Sequence, residues 1–182
     1  KWRYSGGGYT VLQQVIENQT NMTFQEFINW QVIDFLGLNN STFEQVDSAD
    51  HLTRSSGHIN GDSPINGSYH MYPEQAAAGY WTNANDLAQF AIHLQLSLKG
   101  ESQLLSPMQA QKMLTHTLSS NYGVGVELFD KGNFGHTGSN AGFRSLMTLN
   151  SNGFGIIILT NSDKGSDLAS TVAKILSKKY GQ

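Results

Sequence analysis

Apolar residues recur first at helical and later at strand spacing along this chain, with the change falling near residue 120. Tyr9, Leu12, Val15 and Ile16 repeat every three or four positions and predict a helix over 9–16. A second helix starts at Thr23, where Glu26 completes a capping box. Phe24, Phe27, Ile28, Val32 and Phe35 are its apolar residues, and Gly37 suits its C-terminal cap. From Glu44 to Ala78 there is little periodicity and much Gly, Ser, Asn and His, as in a segment that serves a site or wraps a surface. Helical spacing returns after Thr82 or Asn83, either of which can cap a helix burying Leu87, Phe90, Ala91, Leu94 and Leu98. Ser106-Pro107-Met108-Gln109 opens a short further helix, with Pro at its first position.

Beyond Ser120 the period drops to two. YGVGVELF and FRSLMTLN alternate, and FGIIILTN reads as a continuous apolar strand. Gly132-Asn133 and Ser151-Asn152-Gly153 suit the turns between them. The last helix carries Leu168, Val172, Ile175 and Leu176 on one face. This pattern predicts an α+β fold, with a helix and loop region over 1–118 and antiparallel strands plus a terminal helix over 119–182. One core, shared between the two parts, is expected.

Composition narrows the function classes. With 182 residues the chain can bury a core, and a net charge of -3 supplies no electrostatic footprint for nucleic acid. Lys174, Lys178 and Lys179 are the one cationic cluster, placed where a helix C-terminus favours them. The absence of cysteine rules out thiolate chemistry within the chain. The six histidines show no metal-ligand spacing, so no metal is expected.

Two segments invite chemistry. Tyr4-Ser5 precedes Gly6-Gly7-Gly8, but no strand, Gly spacing or Lys-Ser/Thr pair supports a phosphate loop there. NFGHTGSNAGF, over 133–143, reads either as an edge strand with glycines at a bulge, or as a site. In the second case glycine admits a substrate backbone, strand N–H groups face a developing oxyanion, and His136 stands beside them.

Tyr4-Ser5-Gly6, the GYTVLQQVIE helix, FLGLNNSTF, AAAGYWTNANDLAQF, YGVGV and FGHTGSNAGF occur in that order. The ordered set resembles the serine β-lactamase-like hydrolases: class C β-lactamases, D-alanyl-D-alanine peptidases and their esterase relatives. The likeness runs from Tyr4 to the last helix and implies the β-lactamase/transpeptidase-like fold. It places Tyr4 in the role of the tyrosine that shuttles protons at a reactive serine. It places His136, Thr137 and Gly138 on the Lys-Thr-Gly strand motif, and the Ser139 N–H as an oxyanion donor. Gly6 replaces the asparagine whose amide would hold an acylamino side chain, and His136 replaces lysine with a group that can titrate near neutrality.

The family's Ser-x-x-Lys element does not occur in this sequence. The resemblance therefore implies the C-terminal portion of a larger domain, with the nucleophile elsewhere. It further implies a small-molecule or peptide substrate, no cofactor, and a bacterial, extracytoplasmic setting. A complementary N-terminal segment or self-association is expected to cover what the portion leaves open. The alternative is a binding or scaffold relative that keeps the fold without turnover.

Overall fold

The computed structural model describes residues 2–45, 54–60, 62–117 and 120–181. Its helices are α1 (Gly6–Thr20), α2 (Phe24–Ile28), α3 (Asp34–Leu36), α4 (Gln75–Ala78), α5 (Ala84–Lys99), α6 (Pro107–Met113) and α7 (Gly165–Tyr180). A two-stranded hairpin joins β1 (His58–Ile59) to β2 (Ser63–Pro64). The main sheet is antiparallel, in the order β3 (Glu127–Leu128), β4 (Asn133–Asn140), β5 (Phe143–Asn150) and β6 (Gly155–Thr160).

Caps set most helix starts. Thr23 and Ser106 each close a capping box, with Glu26 and Gln109 respectively, and Pro107 takes the first turn of α6. Between the two candidate caps of α5 it is Asn83 that accepts from the Asp86 N–H, at 2.8 Å. Helix α1 begins three residues earlier than its apolar spacing indicates, because Ser5 is its cap and accepts from the Gly8 N–H at 3.1 Å. The three glycines are thus the first helical turn, not a separate loop.

Other expectations are corrected. Between α2 and α3 the helix widens into a π-turn over Asn29–Ile33. The inserted residue rotates the turn after it, so Ile33 and Leu36 face the core while Phe35 stays 48% exposed. YGVGVELF is mostly not a strand; within it only Glu127–Leu128 joins the sheet, and Tyr122 folds back on Glu127 through an isolated bridge. Gly123 is needed there because an added Cβ would overlap the Met113 carbonyl oxygen, and Gly125 because its φ is +79°. Of the irregular stretch 44–78, residues 46–53 and 61 lie outside the described residues.

Among the described residues the buried core gathers in two clusters. Ala91 and Leu94 of α5 pack on Phe134 and Leu149 of the sheet, while Ile33, Leu36 and Leu38 pack under Phe43 and Tyr80. Phe90 touches both and joins them. Gln95 of α5, although buried, is satisfied by the carbonyls of Asn150 and Phe154 at 2.7 and 2.8 Å, which pins the β5–β6 hairpin to the helix. Strand alternation places Phe134, Met147, Leu149 and Ile157 on the α5 face. Helix α7 covers the other face, where its Gly165 lies directly against the Thr160 side chain. The apolar faces read for α1 and α7 are partly open: Leu12, Val15, Leu168 and Ile175 are all exposed.

Candidate active site

The register of β4 on β5 runs without interruption from Asn133↔Asn150 to Asn140↔Phe143, so no bulge explains the glycines of this strand. They answer to the neighbouring strand instead. A Cβ on Gly135 would overlap the Met147 carbonyl oxygen, and one on Gly138 would overlap the Ser145 hydroxyl. The turn Ala141-Gly142, with φ of +73° at the glycine, closes a two-residue hairpin. Its closing pair exchanges hydrogen bonds, so alternate residues of β4 turn their backbone groups away from β5. Thr137 and Ser139 are among these, and the bond from the Phe129 N–H to the Asn133 carbonyl at 2.8 Å fits the same phase. Strand β3 pairs only with Phe134 and Gly135. Among the described residues, the backbone edge from His136 to Asn140 therefore meets no neighbouring strand.

Over this edge lies a cavity of about 290 Å³, lined by Tyr4, Tyr122, His136, Thr137, Gly138 and Ser139. It brings the start of the chain onto β4. Tyr4 stands just before the cap of α1, 55% exposed, with its ring 6.1 Å from the His136 imidazole between centroids. His136 Nδ1 bonds the Thr137 carbonyl. A carbonyl only accepts, so Nδ1 carries the proton and Nε2 is the nitrogen left to face solvent or substrate. Gly6 occupies the first position of α1, and a Cβ there would meet nothing within 4 Å. Packing thus does not demand glycine at position 6.

All the residues singled out in the sequence gather here, Gly6 one turn away. One was missed. Tyr122 completes the wall, 6.0 Å from Tyr4 and 6.3 Å from His136 between ring centroids, and Trp2 stacks behind it at 4.8 Å. Burial first, and then the negative charge of Glu127, push the Tyr122 phenol above the usual tyrosine range. Tyr9, one helical turn along α1 from Ser5, is also raised, by burial and by the nearby Tyr4. The sequence signal for Tyr122 was its place before two glycines, which alternation alone disguised as a strand.

The arrangement offers a phenol, an imidazole and an unpaired run of strand backbone around one open cleft. Such a set can move a proton and hold a carbonyl oxygen.

The family model described as Beta-lactamase matches residues 1–178. No curated protein matches. Among solved structures, a penicillin-binding protein from Bacillus halodurans is similar with a TM-score of 0.75 at 22% identity. That match covers 97% of this chain and 56% of the other. A D-stereospecific amidohydrolase from Streptomyces sp. gives 0.77 at 22% identity, covering 100% of this chain and 56% of that one. A D-amino acid amidase from Ochrobactrum anthropi SV3 gives 0.77 at 17% identity, covering 98% and 58%. At such identities the likeness is one of fold. The chain spans little more than half the length of these structures.

Proposed function

The chain belongs to the beta-lactamase family, and on that footing we propose that it forms part of a serine hydrolase working through an acyl-enzyme. A serine on polypeptide outside these 182 residues attacks the carbonyl carbon of an ester, amide or β-lactam-like substrate. Tyr4 takes the serine proton while passing its own to a lysine on that same outside polypeptide, and the proton returns along this relay to the leaving group as the acyl–heteroatom bond breaks. Water then attacks the acyl-enzyme, its proton passing by the same route, and the acid departs. The Ser139 N–H stabilises the oxyanion, Thr137 and Gly138 align the substrate along the strand edge, and His136 presents Nε2 to the polar network beside Tyr4. Gly6 leaves the site without the carboxamide that would grip an acylamino group, which favours ester or simple amide turnover over β-lactam hydrolysis.

One observation carries the proposal: Tyr4 and His136, 132 residues apart in the sequence, converge over a strand edge that meets no neighbouring strand among the described residues. The exposed face of α1, with Val11, Leu12 and Val15, supports a complementary preceding segment as its cover. The structures similar in fold are named as penicillin-binding and amide-cleaving proteins, which supports acyl transfer.

Intact mass after treatment with a fluorophosphonate tests this. The full-length protein should gain one probe equivalent and the 182-residue chain none. A stoichiometric adduct on Ser5 or Ser139 of the chain overturns the placement of the nucleophile. A full-length protein that neither labels nor turns over an ester is the scaffold relative instead.

A further inference from the structure

We infer that Tyr122 is a positioning residue: its ring, backed by Trp2 and set against both Tyr4 and His136, fixes where those two stand. The inference rests on the acyl-transfer reading above and adds to it a residue whose work is geometric.

The segment around Tyr122 is built to present that side chain. Its carbonyl accepts from the Thr117 N–H at 2.8 Å and from the Thr117 hydroxyl at 2.9 Å. The Gly123 N–H reaches the Val126 carbonyl at 2.9 Å, and the Val124 N–H reaches the Met113 carbonyl at 3.0 Å. Gly123 lies so close to Met113 that no side chain fits, and Gly125 holds a left-handed conformation that other residues resist. The tight turn folds the chain back so that Tyr122 and Glu127 pair across an isolated bridge. The bridge brings the Glu127 carboxylate beside the Tyr122 phenol, and the Asn121 amide holds that carboxylate at 3.0 Å.

Electrostatics separates the two tyrosines of the cleft. The groups facing the Tyr122 phenol are Glu127 from β3, and Tyr4 and Tyr9 from the first residues and first helix; the His136 ring from β4 lies against its ring edge-on. Every one of the first three opposes its ionisation, and so does burial. Tyr122 therefore keeps its proton and takes none from a substrate. What it offers the cleft is its ring. Tilted at 57° to Tyr4 and at 71° to His136, it fills the angle between them. Without it, Tyr4, more than half exposed, would keep only the His136 ring as a ring contact among the described residues. A displacement of about 1 Å in a proton-transfer group costs on the order of 100-fold in rate.

The test is kinetic, in the full-length protein on a p-nitrophenyl ester, beside Tyr4→Phe. Tyr122→Leu should lower kcat roughly 10- to 100-fold while KM stays within about twofold, because alignment rather than binding is lost. Tyr122→Phe retains the ring and should restore kcat to within about threefold of the parent. Trp2→Ala, which removes only the backing ring, should fall between the two and decides the matter if Tyr122→Leu does not fold. Parental kcat in Tyr122→Leu beside an impaired Tyr4→Phe overturns the positioning role and leaves acyl transfer standing. Equal loss in Tyr122→Phe and Tyr122→Leu also overturns it, by assigning chemistry to the hydroxyl. A loss confined to KM overturns it in favour of substrate contact. If Tyr4→Phe retains full activity, the acyl-transfer reading itself fails, whatever Tyr122 does.

Discussion

Replacing Gly135 by alanine should destabilise the protein far more than the same change at Gly138, three residues along the strand. A Cβ at 135 would overlap the Met147 carbonyl oxygen, lie 2.8 Å from the carbon behind it and 3.2 Å from the Thr148 Cα. All three are backbone atoms of β5, so no side-chain rotation relieves the contact and the strands must part. Overpacking of this kind costs about 1–3 kcal/mol, and a strained ladder hydrogen bond adds about 1 kcal/mol. Against this, alanine lowers the entropy of the unfolded chain by about 0.5–1 kcal/mol. The net expectation is a loss of about 1–3.5 kcal/mol, or roughly 2–14 °C in Tm for a protein of this size or somewhat larger. At Gly138 the overlapping atom is the Ser145 hydroxyl, which can rotate away, so that substitution should cost under about 1 kcal/mol. Thermal melts of the two variants of the full-length protein, followed by circular dichroism, compare them directly. Equal Tm values would refute the argument that close approach of β5 is what selects glycine at 135.

The same geometry fixes three further outcomes. Gly6→Asn enters open space at the first turn of α1, so it should fold normally and raise turnover of N-acylated substrates relative to simple esters; an unchanged ratio counts against the role given to position 6. The Glu26 carboxyl is held below its usual range by the Thr23 N–H and then by the Thr23 hydroxyl. A lowered folded-state value means its contribution is complete above about 4.5 and is lost as pH falls through the lowered value. The Tm difference between the parent and Glu26→Gln should accordingly shrink as the solution is acidified, and a difference that grows would reverse the assigned sign. The 182-residue chain alone, with Val11, Leu12 and Val15 exposed and the outer edge of β6 unpaired by any strand among the described residues, should self-associate; sedimentation as a stable monomer at every concentration would oppose this.

Local chemistry made much of the fold legible. Thr23, Asn83 and Ser106 announce their helices because a cap acts within four residues, and the hairpins of the last third carry their turns in the sequence. What escaped was set at longer range. The π-turn that exposes Phe35 leaves no local signature, and the glycines of YGVGV serve the Met113 carbonyl and a left-handed turn instead of a strand. Leu168 and Ile175 share a helix face as their spacing indicates, yet spacing alone does not say whether that face is covered. The site was legible as separate motifs through family likeness. Tyr122 was not, because its relation to Tyr4, Trp2 and His136 exists only after α1 and β4 have met.

The central claim is that Tyr4 moves the proton in an acyl-transfer reaction over the β4 edge. Its most direct test is the kcat of Tyr4→Phe in the full-length protein on a p-nitrophenyl ester, with His136→Ala alongside. Only a hydroxyl is removed from a half-exposed ring, so the fold should be unaffected while kcat falls about 10²–10⁴-fold, as for a lost general acid–base group. His136→Ala should fall less, since it alters the surrounding network and not the transfer itself. An ester hydrolysed equally well with phenylalanine at position 4 would contradict the account.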